Sequence, residues 1–238
     1  MSTLDCHGNI VCIIPCKPYH QAKKRLADCL SSEQRFELSR WLLQRMLRLV
    51  RGHFACVVVV SRDPQVLGDA QQYGSLPLKE EGDELNAALL QAGHFVTAYG
   101  AEGILILPTD LPFLTAEDVS ALLRLATHTP TVVIAPCQRG TGTNALLVRP
   151  PLLIPFSFGP RSFARHIAHA QSMGIQPVIL RTPTLAFDLD KPEDWRVFCE
   201  RLPALEGYDS PYSSGVPAHW GWCEAAPTED PARHDDPR

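Results

Sequence analysis

The chain has 238 residues, 45% of them apolar, enough for one sizeable core, so a single α/β domain with a tail is expected. A formal charge of −4 argues against a general nucleic-acid or membrane-surface binder, because both depend on a dense positive field. No run approaches the roughly 18 consecutive apolar residues of a membrane span. The polar start MSTLDCHG lacks the basic and apolar regions of a signal peptide, and a cytoplasmic protein is expected.

In chain order, NIVCIIP (9–15) is a β-branched apolar run, the pattern of a strand covered on both faces. It leads into PCKPYHQAKKRLA (15–27), where Lys17, Lys23, Lys24 and Arg25 follow the strand's carboxyl end. Ser31 with Gln34 makes a capping-box signature before a helix carrying Leu38, Trp41, Leu42, Met46 and Leu49 at three-to-four spacing. ACVVVVS (55–61) is a second strand, an amphipathic run from about Glu84 to Tyr99 a helix, and GILILP (103–108) a third strand. Thr115 with Asp118 opens another helix, ahead of TVVIAP (131–136) and the strand-like end of RGTGTNALLV (139–148). Helices over Ser162–Met173 and Pro192–Leu202, with one further strand between them, complete the set, and Pro192 stands where a first turn tolerates it. Residues 1–205 are read as one domain, and 206–238, rich in Pro, Gly, Ser and acid, as a disordered tail. The eight cysteines include no C-x-x-C pair and are read as mostly buried thiols.

Such alternation implies an open, doubly wound, mostly parallel sheet whose ligands sit beyond the carboxyl ends of the strands. Asp110 follows the third strand by two residues and falls at that edge, although a turn cap before Thr115 is the plainer use of one aspartate there. In LAFDLDKPEDW (185–195), Asp188 and Asp190 stand two apart in an extended segment, which puts both carboxylates on one side. Their repulsion is most naturally relieved by a hard divalent cation, and Mg²⁺ prefers a few carboxylates with phosphate oxygens. The basic segment could meet a triphosphate in the same crevice, with Lys24 free to point outward, or it could be a solvated turn. Gly140 and Gly142 allow close backbone approach beside Thr141, Thr143 and Asn144, unless the stretch is only a tight hairpin. Gly159 and Ser162 lie at a helix start, where free N–H groups favour an anion. His166 and His169 lie three apart on that helix and are read as part of its face, not as a metal site. No phosphate loop or Rossmann glycine fingerprint is present.

Taken together, PCKPYHQAKKRLA, LNAAL, LPTDLPFL, RGTGTNALL, FGPRSFARH and FDLDKPEDW resemble, in order, the motifs of the 2-phospho-L-lactate guanylyltransferase family over about residues 9–200. The resemblance implies a Rossmann-like nucleotidyltransferase fold and transfer of GMP from GTP to a small phosphorylated three-carbon acid in synthesis of coenzyme F-420. That acid would be 2-phospho-L-lactate, phosphoenolpyruvate or 3-phospho-D-glycerate. It implies Mg²⁺ on Asp110, Asp188 and Asp190, and the acid at Thr143, Gly159 and Ser162. Lys17, Lys23 and Arg25 would meet the nucleotide phosphates, with Lys23, Arg25 and Asp110 serving catalysis and Asn86 near the base or ribose. The chain departs from the family's commoner pattern at Lys24 and Cys137. A homodimer is an open expectation, and no nucleic-acid or membrane partner is expected. The rival readings are a molybdenum-cofactor or sugar-nucleotide nucleotidyltransferase and a non-catalytic nucleotide-binding regulator.

Overall fold

The computed structural model describes residues 9–82 and 84–205, so the expected tail lies outside the described residues. Seven strands form one sheet in the order β3-β2-β1-β4-β6-β5-β7. They are β1 (Ile10–Pro15), β2 (Val57–Ser61), β3 (Leu76–Lys79), β4 (Gly103–Ile106), β5 (Thr131–Pro136), β6 (Thr143–Arg149) and β7 (Val178–Ile179). Only β6 reverses among them, pairing antiparallel with both β4 and β5. The expected α/β class and mostly parallel sheet are therefore present.

Helices cover both faces, as Val- and Ile-rich strands require. On one face α1 (Ser32–Val50), α2 (Pro64–Gln72) and α4 (Ala116–Arg124) bury Leu43, Met46, Val66, Val119 and Leu122 against Cys12, Ile14, Val59 and Leu105. On the other, α3 (Leu85–Ala98) and α5 (Ser162–Ser172) pack Leu89, Val96 and Ala170 on Ile13, Val58, Ile104 and Leu146. The expected caps form: Ser31 Oγ accepts from the Gln34 N–H at 3.2 Å, and Thr115 Oγ1 from the Asp118 N–H at 3.2 Å. A short α6 (Pro183–Ala186) precedes α7 (Pro192–Leu205).

Helix α2, strand β3 and the short α6 were not anticipated. Helix α2 starts at Asp63 and Pro64, a side-chain cap followed by a first-turn proline. Strand β3 carries Pro77, and a proline fits because β3 is an edge strand.

A third apolar cluster sets the site. Leu26, Phe113, Phe187 and Leu189 are buried together with Leu38, Leu42, Trp195, Phe198 and Leu202. Each of the first four is close in sequence to a charged residue of interest, so one hydrophobic knot anchors three separate loops. From 185 to 190 burial alternates, with Leu185, Phe187 and Leu189 inside, and this turns Asp188 and Asp190 to one side as expected.

Candidate active site

At the carboxyl ends of β1–β4 lies a cleft of about 400 Å³, whose lining includes Lys17, Lys23, Lys24, Arg25, Arg62, Glu80, Thr109, Asp110 and Asp190. The loop after β1 is shaped by distant polar pins. Tyr19 is fully buried, its N–H donating to Asp63 Oδ2 at 3.2 Å and its hydroxyl to Asp69 Oδ2 at 2.8 Å. Arg40 holds Asp69 with two further bonds of 2.9 and 3.1 Å, and Phe36 packs edge-on against the Tyr19 ring. Cys16 borders the cleft, but burial pushes its thiol far above the ordinary range, which leaves it protonated and inert.

Past the pinned segment Lys23 takes a left-handed backbone conformation (φ 54°) that turns its side chain inward, where only 4% of it remains exposed. Its ammonium donates to Asp110 Oδ1 and, at 2.6 Å, to the Leu189 carbonyl. The Leu189 N–H donates to the Asp110 carbonyl at 2.9 Å. Thus the aspartate after β4 and the segment carrying Asp188 and Asp190 are tied by backbone and by Lys23. Arg25 pairs with Asp190 in a more open position. Lys24 is exposed as expected, yet it borders the same cleft instead of leaving it.

Asp188 differs from its neighbours. Its Oδ1 is buried without a hydrogen-bond partner, and Arg139 Nη1 lies 3.8 Å from Oδ2. Burial pushes its carboxyl above the usual range; Arg139 opposes this, and the negative charges of Asp194 and Asp110 add to it. Asp194, itself buried, accepts from Arg139 at 2.7 Å and from the N–H groups of Asp190 and Lys191 at 3.2 and 2.9 Å. Arg139 and Asp194 were not singled out in the sequence. The only local signal is Asp194's place three residues after Lys191, in a helix's first turn.

The glycine-rich stretch and the start of α5 do come together, through a 3.2 Å bond from the Phe163 N–H to the Thr141 carbonyl. Gly159 has φ +113°, a conformation only glycine adopts readily. The expectation of free helix-start N–H groups needs correcting, because the Ser162 N–H is bonded to the Gly159 carbonyl and that of Phe163 to Thr141. Thr143 and Ser162 are buried, and neither they nor Gly159 line the cleft, which Phe158 reaches on this side. Asn86 also has a different partner from the base or ribose expected of it. Its amide bridges Phe158, donating to the carbonyl at 3.1 Å and accepting the N–H at 2.8 Å. It supports that loop as a neighbouring strand would.

The family model described as guanylyl transferase CofC like matches residues 10–199. The chain belongs to this CofC-like guanylyl transferase family. Curated relatives include the phosphoenolpyruvate guanylyltransferases of Rubrobacter xylanophilus, 42% identical over 78% of this chain and 91% of that protein, and of Chloroflexus aggregans, 42% identical over 78% and 95%. Among solved structures, a nucleotidyl transferase from Methanothermobacter has a TM-score of 0.59 at 15% identity, covering 83% of this chain and 99% of that one. A 4-diphosphocytidyl-2C-methyl-D-erythritol synthase has a TM-score of 0.57 at 15% identity, covering 82% and 97%. These two likenesses concern the fold. By its family the chain is a nucleotidyltransferase enzyme.

In this guanylyl transferase the hydrogen atoms around His166 can be placed. The ring is fully buried, and burial, then His169 and Arg165, pushes it down to about 4, so it is neutral at physiological pH. Its Nε2 accepts the Ser157 N–H at 3.0 Å, which leaves the proton on Nδ1, 3.0 Å from Thr143 Oγ1. Thr143 therefore accepts from His166 and keeps its own hydroxyl hydrogen to donate. His169 Nε2 lies 3.0 Å from Ser157 Oγ, so both histidines bind this loop, in keeping with a helix-face role.

For a metal, the donor chemistry is suitable: one carboxylate after β4 and two in the segment between α6 and α7, one of these with a buried oxygen that no protein group satisfies. Among the described residues no group of three or more His, Cys, Asp or Glu side chains is already gathered around a metal position. Asp110 and Asp190 are instead held by Lys23 and Arg25. No helix of the described residues is long and apolar enough to cross a membrane.

Proposed function

We propose that the enzyme transfers GMP from GTP to the phosphate of phosphoenolpyruvate or a closely similar three-carbon phospho acid, releasing pyrophosphate, as a step in coenzyme F-420 synthesis. The observation that carries this is the cleft itself. A basic loop faces Asp110 and Asp190 across the cleft, and Phe158 borders its other side. The names of the relatives, guanylyltransferases similar over nearly their whole length, support the choice of nucleotide and acid. 2-Phospho-L-lactate and 3-phospho-D-glycerate carry the same pairing of phosphate and carboxylate.

Two anions must meet for the reaction to occur, so charge and position do the catalytic work. Lys17, Lys24, Arg25 and Arg62 border the space for the triphosphate and offset its charge. Lys23 holds the Asp110 and Leu189 segments together, fixing where the α-phosphorus can sit. The acid approaches from the Phe158 side, where the buried Thr143 holds His166 and, through it, the Ser157–Phe158 loop that borders the cleft. One of its phosphate oxygens attacks the α-phosphorus in line, the bond to the β-phosphate breaks, and pyrophosphate leaves with the electron pair. No protein nucleophile takes part. Asp110, Asp188 and Asp190 would hold Mg²⁺, which when bound neutralises phosphate charge in such a site.

Pyrophosphate release measured with GTP, Mg²⁺ and each of the three acids, beside glucose 1-phosphate and mannose 1-phosphate, tests the reading. Turnover with a three-carbon acid and none with either hexose phosphate is expected. The opposite pattern would leave the fold and family standing and overturn the substrate.

A further inference from the structure

Charge is not uniform along the cleft. At the β4 end, Asp110 and Asp190 face Lys23 and Arg25, and Lys17, Lys24 and Arg62 border the middle. At the far end, just past β3, the lining carries another carboxylate, Glu80. The intervening strand order is β3-β2-β1-β4, three intervals, which at ~4.8 Å each separates the two ends by roughly 14 Å. This is the scale of a nucleoside monophosphate with the reach of side chains at each end. A carboxylate repels a triphosphate, so Glu80 suits the part of a nucleotide that donates hydrogen bonds.

The surroundings of Glu80 point the same way. Its N–H donates to the Ser61 carbonyl at 2.9 Å, which extends the β2–β3 ladder and fixes its backbone at the rim. Beside it Leu85 and Ala88, three apart on α3 and so on one face, both line the cleft. Leu85 is 38% exposed, a large apolar side chain open to solvent in a charged cleft. An apolar wall with a carboxylate at its edge matches a flat base that packs by its face and bonds by its rim. Guanine is the base that presents two adjacent donors on one edge, N1–H and the 2-amino group, spaced for the two oxygens of one carboxylate. Adenine and cytosine set a ring acceptor beside their amino group, and uracil flanks its single N–H with two carbonyls, so each would turn an acceptor toward Glu80.

Building on the GTP reading above, we propose that Glu80 selects the base, accepting guanine N1–H and a 2-amino N–H on its two oxygens while Leu85 and Ala88 pack against the ring. The test compares kcat/KM for GTP, inosine triphosphate, which lacks the 2-amino group, and xanthosine triphosphate, which has a carbonyl in its place. In Glu80→Ala the value for GTP should fall about 100-fold and that for inosine triphosphate about tenfold, narrowing the preference between them. In Glu80→Gln the side-chain amide can donate to the xanthine carbonyl and accept from N1–H. The ratio of xanthosine to guanosine triphosphate should therefore rise about tenfold or more. Both ratios are taken within one variant, so a fraction of unfolded protein cancels. An equal fall for GTP and inosine triphosphate in Glu80→Ala, as a partner of Arg62 or a general charge would produce, overturns the assignment. So does an unchanged xanthosine-to-guanosine ratio in Glu80→Gln. Unmodified protein that turns over GTP with none of the acids would instead strike the underlying reading.

Discussion

The two sides of the cleft are built on opposite plans. On the β1–β4 side the functional groups are long cations, several of them exposed, carried on a loop whose course depends on Tyr19, Asp63, Asp69 and Arg40. On the β5–β6 side they are short polar groups in the interior, behind Phe158 and not on the cleft wall. Thr143, Asn144, Ser162 and His166 are all buried, with Asn144 bonded to the Leu185 and Ala186 carbonyls and Thr143 to His166. The contrast follows from the proposed ligands. A triphosphate needs several positive charges, and these stay hydrated at the surface at little cost until they are used. A small acid needs a fixed geometry, which neutral donors buried among their partners provide.

The aspartates where the two sides meet should show the largest effect. Asp190→Asn should lower turnover by roughly 100- to 1,000-fold and weaken Mg²⁺ binding measured by calorimetry, with little change in thermal midpoint, because Asp190 is only partly buried. Near-normal turnover would remove the carboxylates from the mechanism. Next, Lys23→Ala should reduce kcat about 100-fold, since it releases Asp110 and leaves the Leu189 carbonyl without its ammonium donor. Lys24→Ala is the comparison; if it proved the more damaging, the inward role given to Lys23 would be wrong.

On the interior side a pH effect is expected. His166 is pushed down to about 4, whereas an unfolded histidine titrates near 6.5. Between these values the unfolded chain binds a proton that the folded chain refuses, so stability falls as pH drops through this window. His166→Gln should flatten that dependence by on the order of 2 kcal/mol, read from chemical denaturation at pH 7.5 and 4.5. An unaltered slope would mean that the ring is not held neutral. The smallest effect should come from Thr143→Val, which is expected to raise KM for the acid about tenfold while leaving KM for GTP nearly constant. A matching rise for GTP would show that the two sides are not separate sites.

Much of the architecture was legible because its signals are local. Apolar β-branched runs marked the strands on both sides of the cleft, paired cap residues marked α1 and α4, and the period of two in FDLD turned Asp188 and Asp190 the same way. The order of strands and carboxylates also placed Asp110 at the ligand edge. Strand β3 was missed because its proline reads against a strand until its edge position is known, and α2 because it is short.

What the chain alone could not reveal is which groups occupy one another. Lys23 and Asp110 are 87 residues apart, Arg25 and Asp190 165, and Asn86 and Phe158 72. No periodicity or motif spacing carries such pairings. They arise only when the knot of Leu26, Phe113 and Leu189 brings three loops together and each buried polar group must find a partner within reach. So local sequence determined that acids and bases would gather at the strand ends. The tertiary structure decided that Lys23 holds Asp110, that Asn86 holds Phe158, and that Asp188 keeps a buried oxygen unpaired, because hydrogen bonds are satisfied by neighbours in space and not along the chain.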